Sequence, residues 1–229
     1  DAELVSVYAY SFHNNTIYNH HDDINIYSNS WGPYDDFGAI PIMDETDPDG
    51  WPTYLDDIEN SVINNTIVTF ANGNGGGWPE FSTLDPVAGS MYTIAVQAIG
   101  DDSQRSWYAE QGSNTTFSTY SNGGYYYGIT TTDSTDTYTD SFGGTSSATP
   151  LGSGMIALML DANSNLNWRD VTNIAAHESV NNDIFDSGWQ TNRAGIDYHS
   201  YYGFGMLDAF SAVTAAESAI SIKVIKHPP

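Results

Sequence analysis

Apolar positions along this chain fall into two spacings, and the spacing switches at almost every turn signal. Ile24 to Ser30 reads as a strand that runs into Trp31-Gly32-Pro33. Tyr54 to Asn64 carries Leu55, Ile58, Val62 and Ile63 at the three- and four-residue intervals of a helix face. Thr66-Ile67-Val68-Thr69-Phe70 is a β-branched strand that stops at Ala71-Asn72-Gly73-Asn74-Gly75-Gly76-Gly77, and Met91 to Ile99 is another strand. Leu151 to Ala162 is apolar and rich in small residues, as a helix buried among neighbours would be. Trp168, Val171, Ile174 and Ala175 make one face of a helix starting near Asn167. Leu207, Phe210, Val213 and Ala216 make another. Between these, Gln111 to Ser141 is dominated by Ser, Thr, Gly and Tyr and reads as surface strands and loops. Strands alternating with helices predict an α/β fold with a mainly parallel sheet.

No repeat and no internal boundary interrupts this pattern, so residues 1–219 are expected to form one domain. The paired prolines that close Lys223 to Pro229 read as the start of a linker, residues 220–229. At 229 residues the chain is long enough for a substantial core. Charge changes the picture most: 29 Asp and Glu face 5 Lys and Arg, a formal net of -24. Nucleic acid and anionic membranes are therefore poor partners, whereas cations and basic peptides are good ones. Cysteine is absent, which excludes disulfides, thiolate catalysis and cysteine–zinc sites. No apolar run reaches the length of a membrane span. The start at Asp1, with neither a methionine nor a signal-like segment, suggests a mature form or a fragment. The sequons at Asn14, Asn64 and Asn114 are expected by chance in so polar a chain. The acidic loop Asp44 to Gly50 lacks the full spacing of a calcium loop and reads as a solvated turn.

Chemistry concentrates in Gly143-Gly144-Thr145-Ser146-Ser147-Ala148-Thr149-Pro150. Glycines that permit a sharp turn, followed by a serine at the start of a buried helix, are a mounting for a nucleophile. Unpaired helix-start amides stabilise negative charge beside it. Serine needs a base, normally a histidine steered by a carboxylate.

Four segments in order extend this reading: Ile26 to Asp36, Phe70 to Gly76, Gly143 to Pro150, and Asn167-Trp168-Arg169-Asp170-Val171 with Tyr202-Gly203-Phe204-Gly205. Together they resemble the subtilisin-like serine proteases, in the kexin/furin proprotein-processing branch, over about residues 2 to 215. The resemblance implies a three-layer α/β fold with Ser146 as nucleophile. It implies that the Asn74 side-chain amide and the Ser146 N–H form an oxyanion hole, with Thr145 shaping the turn. It matches Asp85 to the carboxylate at the floor of the S1 pocket and Asp35 to a second acid bordering it. Ser30, Trp31, Gly32 and Pro33, with Ala71, Asn72 and Gly73, would wall the cleft. Behind S1 it implies a calcium ion held by Asp35, Glu80 and Glu110, although Glu80 stands where aspartate is usual. The implied partner is a peptide or protein with a basic P1 residue, and the implied state is a secreted or periplasmic monomer.

The chain departs from that pattern in three places. Phe37 looks inserted after Asp36, so the next acid along the cleft cannot be aligned, though Asp44, Glu45 and Asp47 lie nearby. Ser82, Leu84 and Gly112 stand where framework cysteines of eukaryotic relatives would be, which favours a bacterial-type member. The family's His-Gly-Thr context does not occur around His13, His20, His21, His177, His199 or His227. His20-His21-Asp22-Asp23 reads as a solvated loop rather than a metal site. The triad Asp and His are therefore expected upstream of Asp1, and a P domain is expected after the linker. The sequence is then an internal fragment of a calcium-dependent serine endopeptidase that cuts after basic residues. A non-catalytic peptide-binding relative is the alternative; an acidic carbohydrate-binding module, given 16 Tyr, is a remote one.

Overall fold

A computed structural model of the chain describes residues 3–4, 23–33, 51–134 and 136–220, with the backbone alone for 51–53. The elements in order are β1 (Ile26–Asn29), α1 (Trp51–Ile63), β2 (Ile67–Ala71), β3 (Ile94–Ile99), β4 (Thr115–Tyr120), β5 (Ile129–Asp133), β6 (Thr137–Phe142), α2 (Thr145–Ala162), α3 (Trp168–Glu178), β7 (Ser179–Val180), β8 (Gln190–Thr191), β9 (Asp197–Tyr198), β10 (Met206–Leu207) and α4 (Ala209–Ser218). A six-stranded sheet runs in the order β1-β2-β3-β4-β10-β7. All neighbours in it are parallel except β10 and β7. This is the mainly parallel α/β architecture that the alternation of spacings predicts.

Helices cover both faces, and the central strands divide their side chains between them. Ile67 of β2 with Ile94, Val96 and Ala98 of β3 packs with Ala148, Ile156 and Met159 of α2, Val171, Ile174 and Ala175 of α3, and Ala212 and Ala216 of α4. Val68 and Phe70 of β2 with Ala95 of β3 face the other way, onto Tyr54, Ile58 and Val62 of α1. Period-2 alternation thus persists in strands that are buried on both faces. The helix α2 lies close on the sheet because Gly152 has no side chain. A Cβ there would meet the Phe117 ring at 2.9 Å and Val96 Cγ2 at 3.2 Å.

Two expectations need correction. Residues 111–141 are not all surface: β4 is buried along five of its six residues and sits inside the sheet. Its hydroxyls misled the pattern because their partners lie far along the chain. Ser118 Oγ donates to the Tyr202 carbonyl at 3.1 Å and Thr119 Oγ1 to the Ala148 carbonyl at 2.7 Å, so these polar groups are buried without loss. Leu207 belongs to β10 rather than to the last helix. Asp208 caps that helix, its side chain accepting the Ser211 N–H. The hairpin β5–β6 and the exposed Tyr125, Tyr126 and Tyr127 before it match the surface expectation.

The segments where cysteines might have stood do meet. A Cβ on Gly112 would lie 2.2 Å from Ser82 Oγ, and Ser82 Oγ instead donates to Asn114 Oδ1 at 2.9 Å. Hydrogen bonds join the two segments there. Asp35, Phe37, the acids 44–47, His13, His20, His21, His227 and the linker expectation lie outside the described residues.

Candidate functional site

The site forms where parallel strands end. Ser30 follows β1, Gly73 and Asn74 follow β2, and α2 begins beside them with Gly144 as its N-cap. Carboxyl ends of parallel strands are where crevices open in α/β sheets. Both turns depend on glycine: Gly73 has φ 104° and Gly144 has φ 77°, a region L side chains seldom enter.

Ser146 lies in the first turn of α2 and is half-buried. Three hydroxyls hold the turn around it: Ser121 Oγ donates to the Gly144 carbonyl at 2.7 Å, Thr149 Oγ1 to the Thr145 carbonyl at 2.8 Å, and Ser30 Oγ to the Ser146 carbonyl at 3.0 Å. The Gly144 N–H donates to Asn122 Oδ1 at 2.9 Å and to the Tyr108 hydroxyl at 3.1 Å. Tyr108 in turn donates to Asn122 Oδ1 and to the Asn122 carbonyl. Nothing in the sequence pattern points to Tyr108, Ser121 or Asn122 here; the Ser-Asn-Gly-Gly turn at 121–124 is the nearest signal.

Asn74 is exposed, but its carboxamide has a fixed orientation. Its Oδ1 accepts the Thr145 N–H at 2.8 Å and the Thr145 hydroxyl at 3.1 Å. A backbone N–H only donates, so the atom facing it is the oxygen, and the amide NH2 occupies the opposite edge. Thr145 is fully buried, and its Oγ1 also accepts the Gly73 N–H at 3.3 Å. One threonine thus joins the β2 turn to the start of the helix. The Asn74 carboxamide oxygen lies close to the helix start: a Cβ on Gly144 would lie 3.3 Å from Asn74 Oδ1 and 3.6 Å from Ser146 N. The absent side chain leaves that position open.

Asp85 follows a single 3-10 turn at Ser82–Leu84. Its Oδ1 accepts the N–H groups of Val87 at 2.7 Å and Ala88 at 2.8 Å, which locks the carboxylate in a turn. Oδ2 faces the Ser30–Pro33 segment, 3.2 Å from where a Gly32 Cβ would stand. In that segment the Trp31 ring packs edge-on against Tyr54 and Phe70, and its Nε1 donates to buried Asn29 at 3.1 Å. Pro33 follows, half-buried. Ala71 ends β2 opposite Val96, and Asn72 is buried with its amide donating to the Glu110 carbonyl.

Glu80 and Glu110 converge on Gly75. Glu110 is 4% exposed and its Oε1 accepts the Gly75 N–H at 2.8 Å. Glu80 Oε2 is sealed from solvent. Both carboxylates lie within 3.2 Å of the point where a Gly75 Cβ would be. Among the described residues no group of three acidic, histidine or cysteine side chains is poised around one point. Asp35, the third implied ligand, lies outside them.

Neither described histidine is tied to this site. His177 Nδ1 lies 3.0 Å from the Asn173 carbonyl at the end of α3. His199 is 3% exposed within a cluster of Trp189, Tyr201 and Tyr202. Its Nδ1 accepts the Tyr201 N–H, and Nε2 lies 3.2 Å from Asp186 Oδ1. The Gly188 N–H, and then His199, hold the Asp186 carboxyl below the usual carboxylate range.

Fold and site define a class: a three-layer α/β protein with a serine at a helix start, beside a carboxamide fixed to the same turn. The chain belongs to the Subtilase family, Peptidase S8, which it matches over residues 6–205. It is 36% identical over 201 residues to proprotein convertase subtilisin/kexin type 5 of Rattus norvegicus, covering 85% of this chain and 11% of that protein. It is 34% identical over 210 residues to neuroendocrine convertase 2 of Drosophila melanogaster, covering 89% of this chain and 32% of that one. The serine protease of Aeromonas sobria shares the fold with a TM-score of 0.77 at 23% identity, over 91% of this chain and 45% of its own. The chain therefore spans less than half the length of each of these relatives. No described helix is long and apolar enough to cross a membrane.

Proposed function

We propose that this chain is part of a serine endopeptidase that hydrolyses peptide bonds after basic residues. The observation that carries this reading is the join between Asn74, Thr145 and Ser146. Ser146 Oγ attacks the scissile carbonyl carbon, and negative charge develops on the carbonyl oxygen. The Ser146 N–H and the Asn74 NH2 are the donors assigned to that oxyanion. Because Thr145 already holds the carboxamide, little reorganisation is needed when the charge appears, and loss of such a donor typically costs about 10²–10³ in turnover. The base that removes the Ser146 proton, and the carboxylate that steers it, are assigned to parts of the protein outside this sequence, since no His-Gly-Thr occurs within it.

Asp85, with Asp35, is the proposed anchor for the basic P1 side chain. A carboxylate whose Oδ1 is held by two backbone N–H groups leaves Oδ2 to attract a cation. The net charge of -24 favours the same substrates at longer range. Ser30, Trp31, Gly32, Pro33, Ala71 and Gly73 wall the cleft. The proposed cofactor is calcium, held by Glu80, Glu110 and Asp35. Two carboxylates this close in a water-poor place repel unless a cation neutralises them, and hard oxygens are what calcium prefers. The ion would brace the loop behind Asp85. A secreted or periplasmic monomer completes the reading.

The test uses the full-length protein. It should cleave Arg-containing peptides, Ser146→Ala should abolish cleavage, and Asp85→Asn should weaken the preference for Arg at P1. Undiminished cleavage by Ser146→Ala sinks the mechanism. A full-length protein that binds such peptides without cutting them would instead support the non-catalytic relative.

A further inference from the structure

We infer that Ser30 is a positioning residue for the Ser146 nucleophile, its hydroxyl replacing a helical donor that Pro150 cannot supply. In an α-helix the carbonyl of each residue accepts the N–H four residues later. For Ser146 that residue is Pro150, inside α2, which has no N–H and whose ring presses on the same carbonyl. A backbone acceptor left in this way is paired by water or by another group of the protein. Ser30 Oγ, 116 residues earlier and just past the end of β1, donates to it at 3.0 Å.

The tie has a mechanical consequence. Gly144 and Thr145 carbonyls accept hydroxyls from Ser121 and from Thr149, so the turn is fixed on the helix side and from the residue that follows β4. Ser30 adds the β1 side, and it acts on the residue that bears the nucleophilic oxygen. The peptide plane leaving Ser146 is then set by the sheet rather than by the helix. Rotation of that plane would swing Oγ relative to the Asn74 amide. This role differs from the wall of the substrate cleft, because it needs no extended substrate.

The inference rests on the proposed serine chemistry, so the experiment separates the two. The full-length protein and its variants are treated with a small fluorophosphonate that reacts only at an activated serine. They are also assayed with a short ester and with a long Arg peptide. Ser30→Ala should slow labelling of Ser146 about 3- to 10-fold, the scale of one lost hydrogen bond. kcat for the short ester should fall equally, with KM unchanged, and Ser30→Thr should restore most of the rate. In a Pro150→Ala background the new N–H takes over the carbonyl, and Ser30→Ala should then matter less than about twofold. Equal losses in both backgrounds overturn the inference. So does a Ser30→Ala effect confined to KM for the long peptide, which marks a cleft wall alone. If the unaltered protein is not labelled at Ser146, the serine mechanism itself fails and this role with it.

Discussion

Replacing Thr145 by valine removes one oxygen and keeps the shape of the side chain. That oxygen accepts from Gly73 N at 3.3 Å and donates to Asn74 Oδ1 at 3.1 Å, in a residue with 0% exposure. Water cannot replace it, so leaving the Gly73 N–H without this acceptor should cost about 1–3 kcal/mol of stability. The Asn74 carboxamide keeps the Thr145 N–H at 2.8 Å but loses its second donor. One hydrogen bond is worth about 0.5–1.5 kcal/mol, which at about 1.4 kcal/mol per tenfold lowers kcat roughly 2- to 10-fold. Asn74→Ala should cost much more, about 10²–10³, because the donor itself is gone. The assay is a double-mutant cycle on the full-length protein with an Arg peptide substrate, with thermal unfolding of each variant alongside. If Thr145 acts through Asn74, Thr145→Val should change kcat less than about twofold once Asn74 is alanine. A full and independent loss in that background would refute the reasoning, as would a fall in KM-controlled binding alone.

Other outcomes follow from the same contacts. Gly75→Ala would drive a Cβ to 2.0 Å from Glu80 Oε2, so the variant should lose any thermal stabilisation by added calcium that the unaltered full-length protein shows and chelation reverses. In acid, the Ser211 N–H holds the Asp208 carboxyl below its ordinary value. Its folded form therefore binds protons less readily than its unfolded form, so the stability it contributes is full above pH 3.8 and fades as pH falls through the lowered value. Asp208→Ala should accordingly lower the melting temperature at neutral pH, and the gap to the unaltered protein should narrow below pH 4, a difference read by thermal scans in acid buffers. In alkali, burial pushes the Tyr198 hydroxyl up to about 12. Its contribution is full below the ordinary value of 10.0 and is lost as pH rises towards 12, so Tyr198→Phe should flatten the alkaline limb of the stability profile.

Much of the framework was legible along the chain. The strands β1, β2 and β3 and the helices α1, α2 and α3 follow from period-2 and period-3.6 runs ended by glycine, asparagine or a cap, each a local property. Asn167 illustrates this: it caps α3 by accepting from Arg169 and Asp170, and Asp170 reciprocates within the same turn. The strand β4 was not legible, since Thr-Thr-Phe-Ser-Thr-Tyr reads as surface until the carbonyls that take its hydroxyls are known.

The site divides in the same way. The octet from Gly143 to Pro150 declares a serine at a helix start because glycine freedom, helix-start amides and an apolar run are written in adjacent residues. The sequence also supplied the types and order of Asn74, Asp85, Glu80 and Glu110. Tertiary structure alone decided that Thr145 fixes the Asn74 carboxamide, that Glu80 and Glu110 meet beside Gly75, that Asp85 faces Gly32, and that Ser30 supplies the hydrogen bond Pro150 withholds. Each of those joins segments tens of residues apart. Local propensity has no reach over such separations, and only the register of the parallel strands brings the partners within hydrogen-bonding distance.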